Sequence, residues 1–170
     1  MVVNGDVAEL YDTDLGGNAI GAVPDIDFIG NLNMKDGICA EYAKHRLHMK
    51  NPYGYFQAGV LVMNLEKMRE IHSVREWLEI AQQPGFIYND QDILNMECEG
   101  SVTHLPYEWN VMHDCDGRVH GVFDFAPAHM FQEYMDSRKA PKIVHYADYD
   151  KPWKNPWCDF GPLYWSYASQ

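Results

Sequence analysis

Tyr55-Phe56-Gln57-Ala58-Gly59-Val60-Leu61-Val62-Met63-Asn64 is the stretch that decides the fold. Apolar residues run along it without regular alternation, the pattern of a strand covered on both faces. It passes directly into Leu65-Glu66-Lys67-Met68-Arg69-Glu70, which has helical character. Upstream, Ala19-Ile20-Gly21-Ala22-Val23, bounded by Gly16-Gly17 and Pro24-Asp25, reads as a second buried strand. Val102-Thr103-His104-Leu105 and Lys142-Ile143-Val144-His145-Tyr146 read as shorter ones. Between them the pattern predicts a turn of helix around Asp6 to Tyr11 and helices over Glu41 to Met49, Ser73 to Gln82, Asp90 to Cys98 and His129 to Ser137. Ser73 followed by Glu76 is a capping box, and Asp90 suits a helix N-terminus. Apolar strands separated by helices predict an α/β protein with a mostly parallel central sheet flanked by helices. In such sheets ligands bind beyond the carboxyl ends of the strands, which directs attention to Asp25, to the Asp90 helix start and to His145.

Length and composition narrow the function. The chain has 170 residues, 46% hydrophobic and 22% charged, with no repeat or low-complexity linker, so one domain spanning 1–170 is expected. Thirteen Lys and Arg against 25 Asp and Glu give a net charge of −12, which opposes nucleic acid and anionic membranes as partners. An anionic small ligand remains compatible where a divalent cation or placed lysines neutralise it. Four cysteines, at 39, 98, 115 and 158, form no C-x-x-C pair and read as free thiols. No run approaches the roughly 20 apolar residues of a membrane helix. A cytoplasmic protein is expected, at most peripheral to the inner membrane face. G-x-S-x-G, Walker and G-x-G-x-x-G motifs are absent from the sequence.

Asp-x-Asp pairs occur at 12/14, 25/27, 90/92, 114/116 and 148/150. A paired carboxylate at a strand end can hold Mg²⁺ or Mn²⁺ against a diphosphate, and Asp25/Asp27 fits that position best, although helix caps and solvated turns use the same residues. His145 ends a strand and Lys151 follows within one loop, so an imidazole and an ammonium could reach one anion. Asp90-Gln91-Asp92 could present a carboxylate and an amide at a helix start, or simply cap it. His45 and His48 lack the acidic partner of a zinc helix. The aromatic tail of Trp153, Trp157, Phe160, Tyr164, Trp165 and Tyr167 suits either sugar stacking or closure of the core.

Taken in order, six blocks match a pattern that none carries alone. They are Asn4-Gly5-Asp6-Val7-Ala8-Glu9-Leu10-Tyr11, Ile20-Gly21-Ala22-Val23-Pro24-Asp25, Tyr55-Phe56-Gln57-Ala58-Gly59-Val60-Leu61, Asp90-Gln91-Asp92-Ile93-Leu94-Asn95, Leu105-Pro106-Tyr107-Glu108-Trp109-Asn110, and His145-Tyr146-Ala147 with Lys151-Pro152-Trp153. The chain resembles glycosyltransferase family 8, which contains bacterial lipopolysaccharide galactosyl- and glucosyltransferases and glycogenin. The resemblance implies a GT-A, Rossmann-like fold and retaining transfer of a hexose from a UDP-sugar to a saccharide acceptor, assisted by Mn²⁺ or Mg²⁺. By that resemblance His145 is a metal ligand and Lys151 contacts the donor diphosphate. Asp25 and Asp90 lie around the transferred sugar, and Gln91 is on its reactive face as nucleophile or as stabiliser of an oxocarbenium-like transition state. An amide is a poor nucleophile, so the electrostatic and positioning role is favoured for Gln91.

The chain also departs from the family pattern. The family's metal-binding Asp-x-Asp precedes the segment that begins here at Met1, so the chain is expected to be the C-terminal part of a GT-A domain without the first nucleotide-binding units. Self-association or a partner chain covering the sheet edge is a further expectation. Gln57 stands where the family usually has Asn, and Asp148 where it usually has a small residue such as Gly, both in the donor site. A non-catalytic sugar-binding or interaction module is the alternative function, and a metal-dependent hydrolase a third.

Overall fold

The computed structural model describes residues 1–168. The chain runs β1 (Val2–Val3), α1 (Val7–Tyr11), β2 (Ile20–Pro24), α2 (Ile26–Leu32) and α3 (Cys39–His45). A 3-10 turn at Pro52–Gly54 leads into β3 (Phe56–Met63), followed by α4 (Leu65–Ile71), α5 (Val74–Ala81), α6 (Asp90–Glu97) and β4 (Val102–His104). Another turn, Tyr107–Asn110, enters β5 (Val111–Met112), and a third, Phe123–Phe125, precedes α7 (Ala128–Ser137), β6 (Ile143–His145) and α8 (Gly161–Ala168).

The strands form two sheets, ordered β3-β2-β4 and β1-β6-β5. Each is mixed: β2 pairs antiparallel with β3 and parallel with β4, and β6 pairs antiparallel with β1 and parallel with β5. The expected mostly parallel sheet is thereby corrected. An uninterrupted apolar run reports burial on both faces, which β2 meets as a middle strand whichever way its neighbours run. All five of its residues are buried, whereas β3, expected to be covered on both faces, is an edge strand with Gly59 and Met63 exposed.

Ile20 and Ala22 pack with Phe56, Met68 and Cys98, while Val23, Ile26 and Ile29 join Val111, Tyr134 and Ile143 in the cluster that ties the two sheets together. Side chains of this size stabilise by about 1.5–3 kcal/mol each when fully buried. The capping box of α5 forms, with the Ser73 side chain on Glu76 N–H and the Glu76 carboxylate on Ser73 N–H. Helix α2, by contrast, was not anticipated from the sequence. Asp25 caps it, accepting from the N–H of Asp27 at 3.0 Å and of Phe28 at 3.1 Å. Gly30 lets α2 seat against the 118–123 segment, since a Cβ there would lie 2.1 Å from the Val122 carbonyl oxygen.

The aromatic tail mostly closes the core: Tyr164 packs edge-on against Tyr146, and Trp165 Nε1 donates to the Pro152 carbonyl at 3.0 Å. Trp157 stays 86% exposed. All four cysteines are free and buried. Among the described residues no helix is long and apolar enough to cross a membrane.

Candidate functional site

A cavity of about 300 Å³ opens where β2 ends and α2 begins. Asp25 and Asp27 form one wall, Gln57 of β3 and Gln91 of α6 a second, and Arg118 and Asp148 enter from loops. Its position beyond the carboxyl end of β2 is the one the strand rule anticipates.

Gln91 is held on every polar atom. Its Oε1 accepts from the Ala58 N–H at 3.0 Å, and its Nε2 donates to Asp25 Oδ2 at 2.9 Å and to the Tyr55 hydroxyl at 3.3 Å. The opposite amide orientation would set Nε2 against the Ala58 N–H and Oε1 against the Asp25 carboxylate, two repulsive contacts, so chemistry fixes the amide as described. Gln57 Nε2 reaches the same Asp25 oxygen at 3.2 Å and Met112 Sδ at 2.8 Å.

The carboxylates differ in their environments. Burial first, and then the charge of Asp27, push the Asp25 carboxyl up to about 6 although the N–H groups of Phe28, Gln91 and Asp27 favour its ionised form. Asp27 is also raised by burial, and its ion pair with Arg118 opposes the rise. Asp148 lies at the cavity rim with φ of 64°, in the left-handed region, and its Oδ1 accepts from the Tyr149 N–H at 2.8 Å.

The remaining sequence candidates lie outside the lining. His145 ends β6, and its Nδ1 sits 3.1 Å from Asn110 Oδ1. Burial foremost, with positive charges including Lys151, lowers its pKa to about 4 and keeps the ring neutral. The ring rests on Gly59, where a Cβ would lie 2.5 Å from its Cε1. Lys151 folds back, its Nζ donating to the Tyr146 carbonyl. Asp90 is exposed in the first turn of α6, and the N-cap is Asn89, with φ of 53° and no side-chain cap bond. The structure thus brings Asp25, Gln57, Gln91 and Asp148 together around one cavity, whereas His145, Lys151 and Asp90 are placed elsewhere.

These residues do not by themselves fit a divalent cation. Among the described residues no group of three or more His, Cys, Asp or Glu side chains could hold one. The Asp25/Asp27 pair, the best cation candidate by spacing, is corrected: Asp25 is taken up by the α2 cap and two amides, and Asp27 by Arg118. His145 offers a single neutral nitrogen.

Sequence reading missed Arg118 and Tyr55 as site residues and named Asp92 only within the 90/92 pair and the Asp90-Gln91-Asp92 run. Arg118 is far from Asp27 along the chain and carries no local motif. Asp92 lies two positions beyond Asp90 on a helix, about 200° around the axis, so one carboxylate faces solvent while the other is 0% exposed. That periodicity was the available signal.

The model of the family "Glycosyl transferase family 8" matches residues 1–156. Glycosyltransferase GlyF of Streptococcus pneumoniae serotype 4 (strain ATCC BAA-334 / TIGR4) is 30% identical over 155 residues, covering 90% of this chain and 32% of GlyF. Among solved structures, the apo bifunctional glycosyltransferase WbbM superimposes with a TM-score of 0.80 at 33% identity, covering 95% of this chain and 30% of WbbM. Galactosyltransferase LgtC, in complex with donor and acceptor sugar analogs, gives a TM-score of 0.72 at 25% identity, covering 98% of this chain and 57% of LgtC. The chain therefore spans about a third of GlyF and of WbbM and just over half of LgtC. Its α/β architecture is the GT-A type of these neighbours. With the family model covering nearly all of its length, the chain belongs to glycosyl transferase family 8.

Proposed function

We propose that this chain forms the sugar and acceptor side of a retaining hexosyltransferase, taking a hexose from UDP-glucose or UDP-galactose to a saccharide acceptor such as cell-envelope lipopolysaccharide or polysaccharide. The observation that carries it is Gln91, a neutral amide locked on three sides at the wall of a carboxylate-lined cavity. A group so fixed suits stabilisation of a cationic sugar without covalent attack. In this proposal the C1–O bond to the diphosphate breaks as the acceptor hydroxyl oxygen bonds to C1 on the same face, and the hydroxyl proton leaves on the departing phosphate oxygen. Asp25 orients Gln91 and Gln57 toward the hexose. Lys151 would neutralise diphosphate charge by exchanging its carbonyl partner for a phosphate oxygen.

A second reading, a sugar-binding module without turnover, is favoured by cavity carboxylates already taken up within the chain, Asp25 by the α2 cap and two amides and Asp27 by Arg118. Calorimetric titration of UDP-glucose and UDP-galactose, with and without Mn²⁺, followed by acceptor-dependent turnover, separates the two. Binding with transfer supports the enzyme. Binding of saccharide alone supports the module, release of free hexose without acceptor supports a hydrolase, and a glycosyl adduct trapped on Gln91 overturns the non-covalent role.

A further inference from the structure

Asp92 is fully buried beneath the cavity and does not line it. Three donors converge on its carboxylate. The Tyr42 hydroxyl and the Tyr88 N–H reach Oδ2 at 2.6 and 2.7 Å, and the Tyr55 hydroxyl reaches Oδ1 at 2.7 Å. A carboxylate only accepts, so the single proton of Tyr55 is committed to Asp92 and its oxygen lone pairs are left for the Gln91 Nε2–H at 3.3 Å. The chain of donors therefore runs one way, from Gln91 through Tyr55 to Asp92. The negative end of that chain polarises the Tyr55 hydroxyl and makes it a better acceptor for the amide. Tyr55 cannot swing aside, because its ring is stacked on Phe28 with centroids 3.6 Å apart and planes 9° apart.

Asp25 alone would leave one N–H of Gln91 unheld. The Ala58 N–H and Asp25 hold one edge of the amide, and the second N–H, on the Tyr55 hydroxyl, adds a third point that narrows its tilt in the cavity wall. We infer that Asp92, acting through Tyr55, is a positioning residue that fixes the Gln91 side chain for sugar transfer. This rests on the reading of Gln91 as the group facing the transferred sugar, but the position of Gln91 can be measured whether or not transfer occurs.

The test uses the ¹⁵N-labelled 170-residue chain, with the Gln91 side-chain NH₂ signals assigned by their loss in Gln91→Glu. Tyr55→Phe removes the linking hydroxyl and keeps the stacked ring. It is expected to shift the Gln91 NH₂ signals and speed their exchange with solvent, and Asp92→Asn is expected to do the same. Tyr42→Phe removes a bond to the other oxygen of Asp92, away from Gln91, and should leave those signals in place. Gln91 signals that stay unmoved in Tyr55→Phe, or that move equally in Tyr42→Phe, would overturn the inference. Should Asp92→Asn fail to fold, Asp92→Glu, which keeps the charge and displaces the carboxylate from the Tyr55 hydroxyl, is expected to shift the Gln91 signals in its place, and signals unmoved there overturn the inference. With UDP-hexose and acceptor, Tyr55→Phe should lower kcat about five- to tenfold with KM unchanged, the loss of one hydrogen bond at the reacting geometry. Absence of turnover in the unmodified chain counts against the proposed function and leaves the NMR result on Gln91 standing.

Discussion

Gln91 Nε2 lies 2.9 Å from Asp25 Oδ2, and Gln57 Nε2 lies 3.2 Å from the same oxygen, so one carboxylate oxygen orients both amides at the cavity wall. The other oxygen of Asp25 is fixed by the first turn of α2. Helix capping and site assembly are therefore one interaction network, and whatever changes the charge of Asp25 acts on both.

The Asp25 carboxyl, ordinarily at 3.8, stands at about 6 through burial and the neighbouring charge of Asp27. Between those values the folded chain binds the proton and the unfolded chain does not. The stabilising contribution is thus fully present below pH 3.8 and is lost as pH rises through about 6, a change on the order of 3 kcal/mol. Under the proposed transfer reaction turnover runs the other way, since the ionised carboxylate is the stronger acceptor for both glutamines, and it should rise as pH passes about 6. Asp25→Asn should remove both dependences. Denaturant unfolding of the two proteins across this range checks the first, and stability curves that stay parallel would refute the assignment.

Asp148 holds a backbone conformation that suits glycine, with φ of 64°, and adds a carboxylate to the cavity rim that raises the pKa of Asp27. Asp148→Gly should stabilise the fold by about 0.5–1 kcal/mol through relief of the left-handed strain. Under the proposed function UDP should bind more tightly to the variant, with a gain that shrinks as salt is added. Thermal melts and calorimetry at two ionic strengths measure both effects. Unchanged UDP affinity at low salt would place the Asp148 carboxylate outside the diphosphate's field.

The legible part of this molecule was what short-range pattern encodes. The apolar runs at Ile20 and Val60, the Ser73 capping box and the helix beginning at Asp90 all formed where periodicity put them. Strand direction was not legible, because apolar residues report burial and not the polarity of a neighbour. Helix α2 is not legible because Pro24-Asp25 reads as a strand stop, although Asp25 also starts a helix by accepting from Asp27 and Phe28. At the site, Asp25, Gln57, Gln91 and Asp148 could be named from their positions in motifs. Arg118 and Tyr55 could not be, since their roles come from long-range contacts, with Asp27 and Gln91 respectively.

Gln57 extends from β3 to Asp25 Oδ2 and to Met112 Sδ at 3.2 and 2.8 Å. Gln57→Asn shortens the side chain by one methylene and withdraws the amide from both, which should cost about 1 kcal/mol of stability. In the proposed donor site it also enlarges the space beside the hexose. UDP-glucose and UDP-galactose differ only in the direction of one hydroxyl, so the ratio of their affinities should change by about tenfold. Competition calorimetry with the two donors reads that ratio directly. An unchanged ratio would remove Gln57 from the determinants of donor choice.

Gly59 carries the His145 ring against β3. An alanine Cβ at that position would lie 2.5 Å from His145 Cε1 and 2.6 Å from its Nδ1, distances that real carbon contacts do not tolerate. The neighbour that must give way is the side chain of His145, whose backbone is held separately by pairing with Met112 of β5. Gly59→Ala should therefore leave the chain folded, with overpacking costing about 1–3 kcal/mol, and should drive the imidazole off Asn110 Oδ1. The ¹⁵N ring signals of His145 should move while those of His113 stay. Asn110→Ala should reproduce the His145 shift without the steric cost. If the His145 signals hold their place in Gly59→Ala while the β3 backbone amides move, it is the strand and not the imidazole that yields, and His145 is anchored more firmly by Asn110 than β3 is by β2.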